Sequence, residues 1–389
     1  MPAQRLLPCI ALGLALLLAG TAAQAQDKLA AELREQIVRV PASVQDADGR
    51  PVQGELLVTT FRPQGKGPFP LVVISHGRDS KTRAEYKRQR YESATRFFLR
   101  KGFAVAVPLR LGYGELASLG DPESSVNCSS PRFASALAAA AAQILEVARF
   151  MQQQADIDPQ RLLLLGVSVG GISTIAATSL HQPQPTAAIN FAGGHGGRPD
   201  VQPGEPCQAD QLRQLYGRYG ELDAQQAKPT PTLWVYAEND RYFSPRNARR
   251  WAESYGQAGA KVDLRVLPPF GEDGHKLFGT GNDVWQSLVD EFLAPLGFDK
   301  PGVLAVPPPT SAASADEAAL PQGGVKLREA YQKFLAAKLP RAFAMSSEGR
   351  WGYAIGDDSI SRALAFCQRD YDKPCKLYAV NEAVVWSPP

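Results

Sequence analysis

Short apolar runs alternate with longer segments of helical periodicity along most of the chain. One run, residues 52–61, alternates apolar and polar positions as an edge strand does. Five others are apolar at all or all but one of their positions, as in strands buried on both faces; they are residues 71–74, 103–107, 162–165, 187–191 and 233–236. Residues 262–266 complete the set of candidate inner strands. Intervening segments such as 86–100 and 134–153 are long enough for crossover helices. The pattern predicts an α/β domain with a mostly parallel sheet flanked by helices.

The pattern changes after residue 298. Residues 299–324 are rich in Pro, Ala, Ser and Gly and have no apolar period, which predicts a linker. Beyond it, 325–339 predicts an amphipathic helix, and 342–386 predicts short strands around a helix near 359–367. We therefore expect a large α/β domain over 26–298 and a small α+β domain over 325–389. The small domain is expected to dock on the first domain or on a protein partner.

The N-terminus has the features of an export signal. Arg5 is followed by an apolar run over residues 6–19 and by Ala23-Gln24-Ala25, a small-x-small pattern typical of signal-peptide cleavage. The alternative is a membrane anchor, but about 20 apolar residues are needed to span a bilayer and this run is shorter. We predict that residues 1–25 are removed and that the mature protein is periplasmic or secreted, without stable membrane insertion.

The cysteines suggest two disulfides. Without Cys9 in the signal peptide, an even set of four remains in an oxidising compartment. Cys367 and Cys375 lie eight residues apart in one small domain, so we pair them with each other and Cys128 with Cys207. Free buried thiols are the alternative.

Charge and motif content predict no nucleic acid partner and no cofactor. The chain has 42 Lys and Arg residues against 39 Asp and Glu, which supplies no basic field. The local cluster of Lys87, Arg88 and Arg90 falls in a predicted helix, where we expect a solvated face. No CxxC, HExxH, P-loop or G-x-G-x-x-G pattern occurs, so the sequence supports neither a metal site nor a nucleotide site.

A G-x-S-x-G pattern follows one of the predicted inner strands. Residues 166–171 read Gly-Val-Ser-Val-Gly-Gly, directly after 162–165 and before the helix-compatible 172–180. Glycines at these places permit a sharp strand-to-helix turn that presents the central serine. Ser168 is therefore the candidate nucleophile.

A serine hydroxyl needs a base, normally a histidine oriented by a carboxylate. The partners of such a turn follow in the chain order acid, then histidine. Of the four histidines, only His275 follows both late strands. Asp240, just beyond 233–236, is the candidate acid, with Glu238 and Asp273 as alternatives.

Backbone N–H groups should stabilise the oxyanion that forms on attack. One donor is expected from Val169, the residue after the nucleophile. The second is expected from the loop after 71–74, where we assign Arg78, with Gly77 as the alternative. His76 is expected to order this loop.

Four motifs together resemble the α/β-hydrolase superfamily, and within it the dienelactone-hydrolase-like branch. They are Ser-His-Gly-Arg at 75–78, the 166–171 turn, Ala-Glu-Asn-Asp at 237–240 and Asp-Gly-His at 273–275. The resemblance covers about residues 35–296 and implies an α/β-hydrolase fold with a mostly parallel eight-stranded sheet and a Ser-His-Asp site. Dienelactone hydrolases proper carry a cysteine nucleophile, whereas this chain has Ser168, so ordinary carboxylic esters are the better expectation.

Two long loops, 108–131 and 193–210, should form the rim of a substrate pocket, tied by the Cys128–Cys207 bridge. The candidate pocket residues are His76, Arg110, Tyr113 and His195. The resulting prediction is an exported serine esterase acting on a small-molecule ester through an acyl-enzyme. The alternatives are a peptidase or amidase with the same triad, or a binding protein whose C-terminal aromatic residues form a ligand face.

Overall fold

The computed structural model describes residues 29–79, 81–180, 182–310, 320 and 324–386. The predicted signal peptide, residues 1–25, lies outside these ranges. So does much of the predicted linker, at 311–319 and 321–323. The described residues form a large α/β unit and a small unit with a sheet of its own.

The large unit is built on an eight-stranded sheet with the spatial order β1-β2-β4-β3-β5-β6-β7-β8. β1 and β2 pair antiparallel, as do β2 and β4, and all other neighbours are parallel. The strands are β1 (Gln36–Gln45), β2 (Pro51–Phe61), β3 (Phe69–Ser75), β4 (Ala104–Leu109), β5 (Ile157–Val167), β6 (Ala187–Phe191), β7 (Pro231–Ala237) and β8 (Lys261–Leu267). The predicted mostly parallel eight-stranded sheet is confirmed.

Helices cover both faces of this sheet. They are α1 (Glu92–Arg100), α2 (Phe133–Gln152), α3 (Val169–Thr178), α4 (Ala209–Ala224), α5 (Pro245–Gln257), α6 (Leu277–Thr280) and α7 (Asn282–Leu293). Side chains of α2 to α5 share one core with Leu71 and Val73 of β3, and those of α1, α6 and α7 share another with Val72 and Ile74. Successive residues of β3 thus enter opposite cores, which explains why the inner strands are continuously apolar. α2 is long and apolar enough to cross a membrane, but most of it is buried in the first core.

The sequence prediction is wrong at two edges and in one helix. β1 was not predicted, and because it pairs with β2, the 52–61 strand is internal rather than at the edge. β8, predicted as an inner strand, is the other edge. The helix expected over 86–100 begins only at Glu92.

The residues before α1 are held by a buried ion pair. Arg88 Nη1 lies 2.5 Å from Glu35 Oε1, and Arg90 Nη2 lies 2.6 Å from Glu35 Oε2. The Glu35 side chain is fully buried. The basic cluster is therefore not a solvated helix face, because two of its three cations turn inward to neutralise this carboxylate.

The small unit has an antiparallel sheet of order β10-β9-β11-β12 between two helices. Its elements are α8 (Val325–Ala336), β9 (Arg341–Met345), β10 (Trp351–Ile355), α9 (Ser359–Gln368), β11 (Lys376–Val380) and β12 (Ala383–Val384). Aromatic side chains of α8 pack on one face of the sheet, around Phe343 and Tyr378. α9 packs on the other face, and Cys367 is joined to Cys375. Most aromatics proposed for a ligand face thus contribute to the small core.

In this arrangement the small unit lies against α1 and α7. Arg100 Nη1 donates to Ser361 Oγ at 3.0 Å, and Asn282 Nδ2 donates to Asp357 Oδ2 at 2.5 Å. The backbone N–H of Asp358 donates to Asp283 Oδ2 at 3.2 Å. Three carboxyl groups, those of Asp283, Asp357 and Asp358, therefore meet where the units touch.

We expect the stability of this contact to fall as the pH rises. Burial, above all, raises the pKa of Asp358 to about 6 and also raises the pKa values of Asp283 and Asp357. In the folded protein these carboxyl groups therefore keep protons that they release when the units separate. The contribution of the contact to the free energy of unfolding is thus present below about pH 4 and is lost as the pH rises through 6. Between pH 5 and pH 7.5, the free energy of unfolding from urea titration should fall by about 1.4 kcal/mol more in wild type than in Asp358→Asn.

Asparagine is a suitable replacement because Asp358 has a φ of 53°, a conformation that asparagine tolerates. The exposed Asp372 on the same unit provides the matched control, Asp372→Asn. The same pH profile in wild type and Asp358→Asn would contradict this expectation.

Candidate active site

Ser168 lies in the sharp turn between β5 and α3. Its φ of 57° and ψ of −124° form a combination that residues other than glycine rarely adopt. A Cβ atom at Gly166 would lie 2.0 Å from the Gly170 carbonyl oxygen, and one at Gly170 would lie 2.3 Å from that of Ser75. Both positions therefore require glycine, and the turn presents Ser168 at the carboxyl edge of the sheet.

His275 and Asp240 form a hydrogen-bonded pair at the same edge. His275 Nδ1 lies 3.1 Å and 3.0 Å from the two Asp240 carboxylate oxygens. Asp240 Oδ1 also accepts the N–H groups of Tyr242 and Phe243 at 2.8 Å and 2.9 Å, and the carboxylate is buried. An Nδ1–H that donates to a carboxylate leaves Nε2 free to act as a base.

The two alternative acids are placed differently. Asp273 Oδ1 accepts the backbone N–H groups of His275 and Arg241 at 3.0 Å and 3.1 Å, so it shapes the histidine loop. Glu238 is exposed to solvent. Of the three candidates, the structure brings Asp240 to the imidazole.

Two aromatic residues contact the His275 ring and also line the cleft that contains Ser168. Tyr242 stacks on His275 with ring centroids 4.1 Å apart, and Phe243 meets the same ring edge-on at 5.5 Å. Both aromatic residues line the cleft that contains Ser168. Among the described residues, the Ser168 hydroxyl has no hydrogen bond to His275; catalytic bonds of this kind commonly tighten when substrate binds.

Three residues in the order Ser, Asp and His thus follow β5, β7 and β8 of one sheet, with the serine in a strained strand-to-helix turn. The large unit has the α/β-hydrolase fold.

Solved structures of this fold resemble the chain at low identity. They include a candidate dienelactone hydrolase from Klebsiella pneumoniae, which is 17% identical over 66% of this chain and 98% of that chain, with a TM-score of 0.41. Thermogutta terrifontis esterase 2 is 17% identical over 63% of this chain and 91% of its own, with a TM-score of 0.44. An acylaminoacyl peptidase from Pyrococcus horikoshii is 15% identical over 66% of this chain and 41% of its own, with a TM-score of 0.43. No protein-family model and no curated protein matches the chain.

These resemblances are too distant to assign an activity to this α/β-hydrolase domain. The fold assignment follows from its strand order, its turn and the order of its polar residues, and any activity has to be argued from the site itself.

The loop after β3 lies directly beside Ser168. A Cβ atom at Gly77 would lie 3.1 Å from Ser168 Cβ and 3.6 Å from its Oγ. Arg78, the next residue, lines the cleft, and Val169 is the first residue of α3. The three backbone groups predicted as oxyanion donors thus belong to segments that border Ser168.

His76 is buried behind this loop. Its Nδ1 bonds to the Gly77 carbonyl oxygen at 2.7 Å, and its Nε2 accepts the Arg110 backbone N–H at 3.2 Å. Burial and the Arg110 guanidinium hold its pKa well below the ordinary value, so the ring is neutral. His76 therefore orders the loop, as predicted. Its predicted place in the substrate pocket is wrong, because the ring is buried.

Arg110 and Tyr113 are also behind the cleft, not in it. Arg110 is fully buried and makes a two-bond ion pair with Glu123 at 2.5 Å and 3.0 Å. Its Nη1 donates to Ser75 Oγ and to the His76 carbonyl oxygen, both at 2.8 Å. Tyr113 donates to Glu123 Oε2 at 2.6 Å. The prediction that Arg110 and Tyr113 contact substrate is wrong, because neither side chain is accessible. Both side chains instead support the loop after β3.

Sequence reasoning missed the two carboxylates that organise this region. Glu123 holds Arg110 and Tyr113, and Asp121 holds the Arg78 side chain through bonds of 2.9 Å and 2.7 Å. The available signal was the Asp-Pro-Glu sequence at 121–123, inside a loop expected to border the site. Its side-chain directions could not be predicted.

The cleft beside Ser168 has a volume of about 200 Å³. One wall comes from residues 124–126 and another from residues 195–197, which include His195. The Cys128–Cys207 bridge joins the two loops that supply these walls. No cluster of three potential metal-ligating side chains occurs in the described residues.

Proposed function

We propose that this protein is an exported serine hydrolase that cleaves small carboxylic esters through an acyl-enzyme on Ser168. The observation that carries the proposal is the Asp240–His275 hydrogen bond at the same carboxyl edge of the sheet as a serine in a strained strand-to-helix turn. Such a combination activates a hydroxyl for acyl transfer.

In the proposed reaction, His275 Nε2 takes the Ser168 proton as Oγ attacks the ester carbonyl. The Val169 and Arg78 N–H groups stabilise the oxyanion. The imidazolium, held by Asp240, then gives its proton to the departing alcohol. In the second half, His275 removes a proton from water and the hydroxide attacks the acyl carbonyl carbon. The bond to Ser168 Oγ then breaks, the carboxylic acid is released, and the imidazolium returns the proton to Oγ.

The size of the cleft supports a small substrate. Its volume of about 200 Å³ lies below the roughly 300–1,000 Å³ typical of ligand pockets. Acetate or butyrate esters should therefore be better substrates than octanoate esters. The same triad chemistry could cleave amides, but a cleft this small favours a small ester over an extended peptide.

Export is supported by the N-terminal sequence and by the two disulfides, which are compatible with an extracellular or periplasmic protein.

The test combines active-site labelling with turnover. We expect a serine-directed phosphonate to label wild-type protein at Ser168, and p-nitrophenyl acetate and butyrate to be hydrolysed faster than the octanoate. Ser168→Ala should lose both labelling and turnover. Ser287→Ala, at an exposed serine of α7, is the matched control and should retain both. Unlabelled wild-type protein without turnover, or full turnover by Ser168→Ala, would refute the proposal.

A further inference from the structure

A second concave site, separate from the Ser168 cleft, lies where the large and small units meet. This inter-unit groove has a volume of about 510 Å³ and shares no lining residue with the cleft. Its walls come from the residues before β1, the loop after β2, α1, residues 300–304 and α9. The volume lies within the range of roughly 300–1,000 Å³ that is typical of ligand pockets.

Apolar side chains from both units line the groove. The large unit contributes Leu99, the segment after it contributes Leu304, and α9 contributes Leu364. All three are only partly buried, so each leaves apolar surface in contact with water. An alkyl chain that covered these side chains would remove this surface from water, which is favourable.

The same groove is lined by four cations, namely Arg62, Arg96, Arg100 and Lys300. Arg62 is neutralised by Asp156, since the closest nitrogen and oxygen are 2.6 Å apart. Arg96 makes a longer contact of 3.3 Å with Glu32. In the part of the chain that the structure describes, neither Arg100 nor Lys300 forms an ion pair with a carboxylate. The groove therefore has an excess of positive charge.

The guanidinium of Arg100 is held by neutral partners. Its Nε donates to the Gly302 carbonyl oxygen at 2.6 Å, and its Nη1 donates to Ser361 Oγ at 3.0 Å. Its Nη2 makes no hydrogen bond to the described residues, yet it retains accessible surface. This nitrogen can therefore donate to a bound ligand.

Burial without a counter-charge disfavours the charged form of Arg100 and lowers its pKa, although arginine remains protonated. The charges of Asp358 and Asp290 act in the opposite direction, but neither residue forms an ion pair with Arg100. Asp290 is paired with Lys101 at 2.7 Å. An anion supplied by a ligand would compensate the charge of Arg100.

We propose that the inter-unit groove binds a medium-chain carboxylate whose headgroup is held by Arg100 and Lys300. The alkyl chain of this ligand covers Leu99, Leu304 and Leu364. A carboxylate fits because a guanidinium N–H and a lysine ammonium both donate strongly to it. The site does not involve Ser168, so the inference is independent of the proposed function.

Isothermal titration calorimetry of the mature wild-type protein tests the proposal with hexanoate, octanoate, decanoate and 1-octanol. We expect decanoate to bind most tightly, with a Kd that falls by about fourfold for each added methylene along the series of carboxylates. The alcohol should bind at least about tenfold more weakly than octanoate, because it lacks the charged hydrogen bonds.

Three variants locate the ligand in the groove. Arg100→Gln should weaken decanoate binding by about tenfold or more. Lys300→Gln should weaken it by about threefold, since this lysine is exposed to solvent. Leu304→Asn should weaken it by about fivefold, and Leu304 lies outside the hydrophobic cores of the described residues. Lys261→Gln, at an exposed lysine on the edge strand β8, is the matched control and should bind decanoate as wild type does.

The Arg100 variant also loses the hydrogen bond to Ser361 between the units, so Lys300→Gln and Leu304→Asn, which retain it, decide the outcome. Three results would each overturn the inference: no saturable binding of decanoate below about 1 mM, equal affinity for 1-octanol and octanoate, or wild-type affinity in both deciding variants. Calorimetry requires no turnover, so these results leave the proposed hydrolase function to be judged by the labelling of Ser168.

Discussion

Replacing Asp240 with asparagine is expected to lower kcat by roughly four orders of magnitude while KM for a small ester stays nearly constant. The amide would donate to His275 Nδ1 through its NH₂ group, so the proton would move to Nε2 and the ring could no longer act as a base. Asparagine has almost the shape of aspartate, and its oxygen can still accept the N–H groups of Tyr242 and Phe243. Steady-state kinetics on p-nitrophenyl acetate measure the effect.

Asp273→Asn is the matched control for this prediction. It changes a carboxylate two residues from His275 that bonds backbone N–H groups and not the imidazole. An asparagine oxygen can accept the same hydrogen bonds, so kcat should fall by less than about tenfold. A larger loss for Asp273→Asn than for Asp240→Asn would reverse the assignment of the acid.

The second large effect is expected on stability. Glu123→Leu would leave the Arg110 guanidinium buried without its counter-charge, and breaking such a pair typically costs about 3–5 kcal/mol. Both side chains are fully buried, and Tyr113 would lose its acceptor as well. The free energy of unfolding from urea titration should fall by this amount.

The double variant Arg110→Met with Glu123→Leu should recover most of that loss, because it removes both buried charges. Glu115→Leu serves as a surface control, since its partner Arg39 is about half exposed and such pairs contribute little. A cost below about 1 kcal/mol for Glu123→Leu would show that Arg110 finds another partner or water.

The parts of the molecule predicted from sequence are those encoded locally. The inner strands contain almost continuous apolar runs, and the turn around Ser168 needs glycines at fixed spacing. The order of Asp240 and His275 after late strands is also readable along the chain. These features depend on neighbours in sequence, so a single sequence contains the information.

The features that escaped prediction depend on distant partners. β1 places Val38, Val40, Ala42 and Val44 against the core, but Pro41 interrupts this alternation and weakens the strand signal. Arg88 is matched to a carboxylate 53 residues away at Glu35. Whether a loop arginine faces a substrate or a buried carboxylate depends on such pairing, and the spacing of residues does not reveal it.

The positions of the two disulfides along the chain allow them to form one after the other during the proposed export. Each bridge lies within one domain, and Cys128 and Cys207 both precede the C-terminal pair along the chain. A chain that emerges from its N-terminus can join the first pair before the second is present. Cys367 and Cys375 then close a loop of only eight residues, for which the entropic cost is small. The pairing of the four cysteines can therefore be reached without disulfide reshuffling.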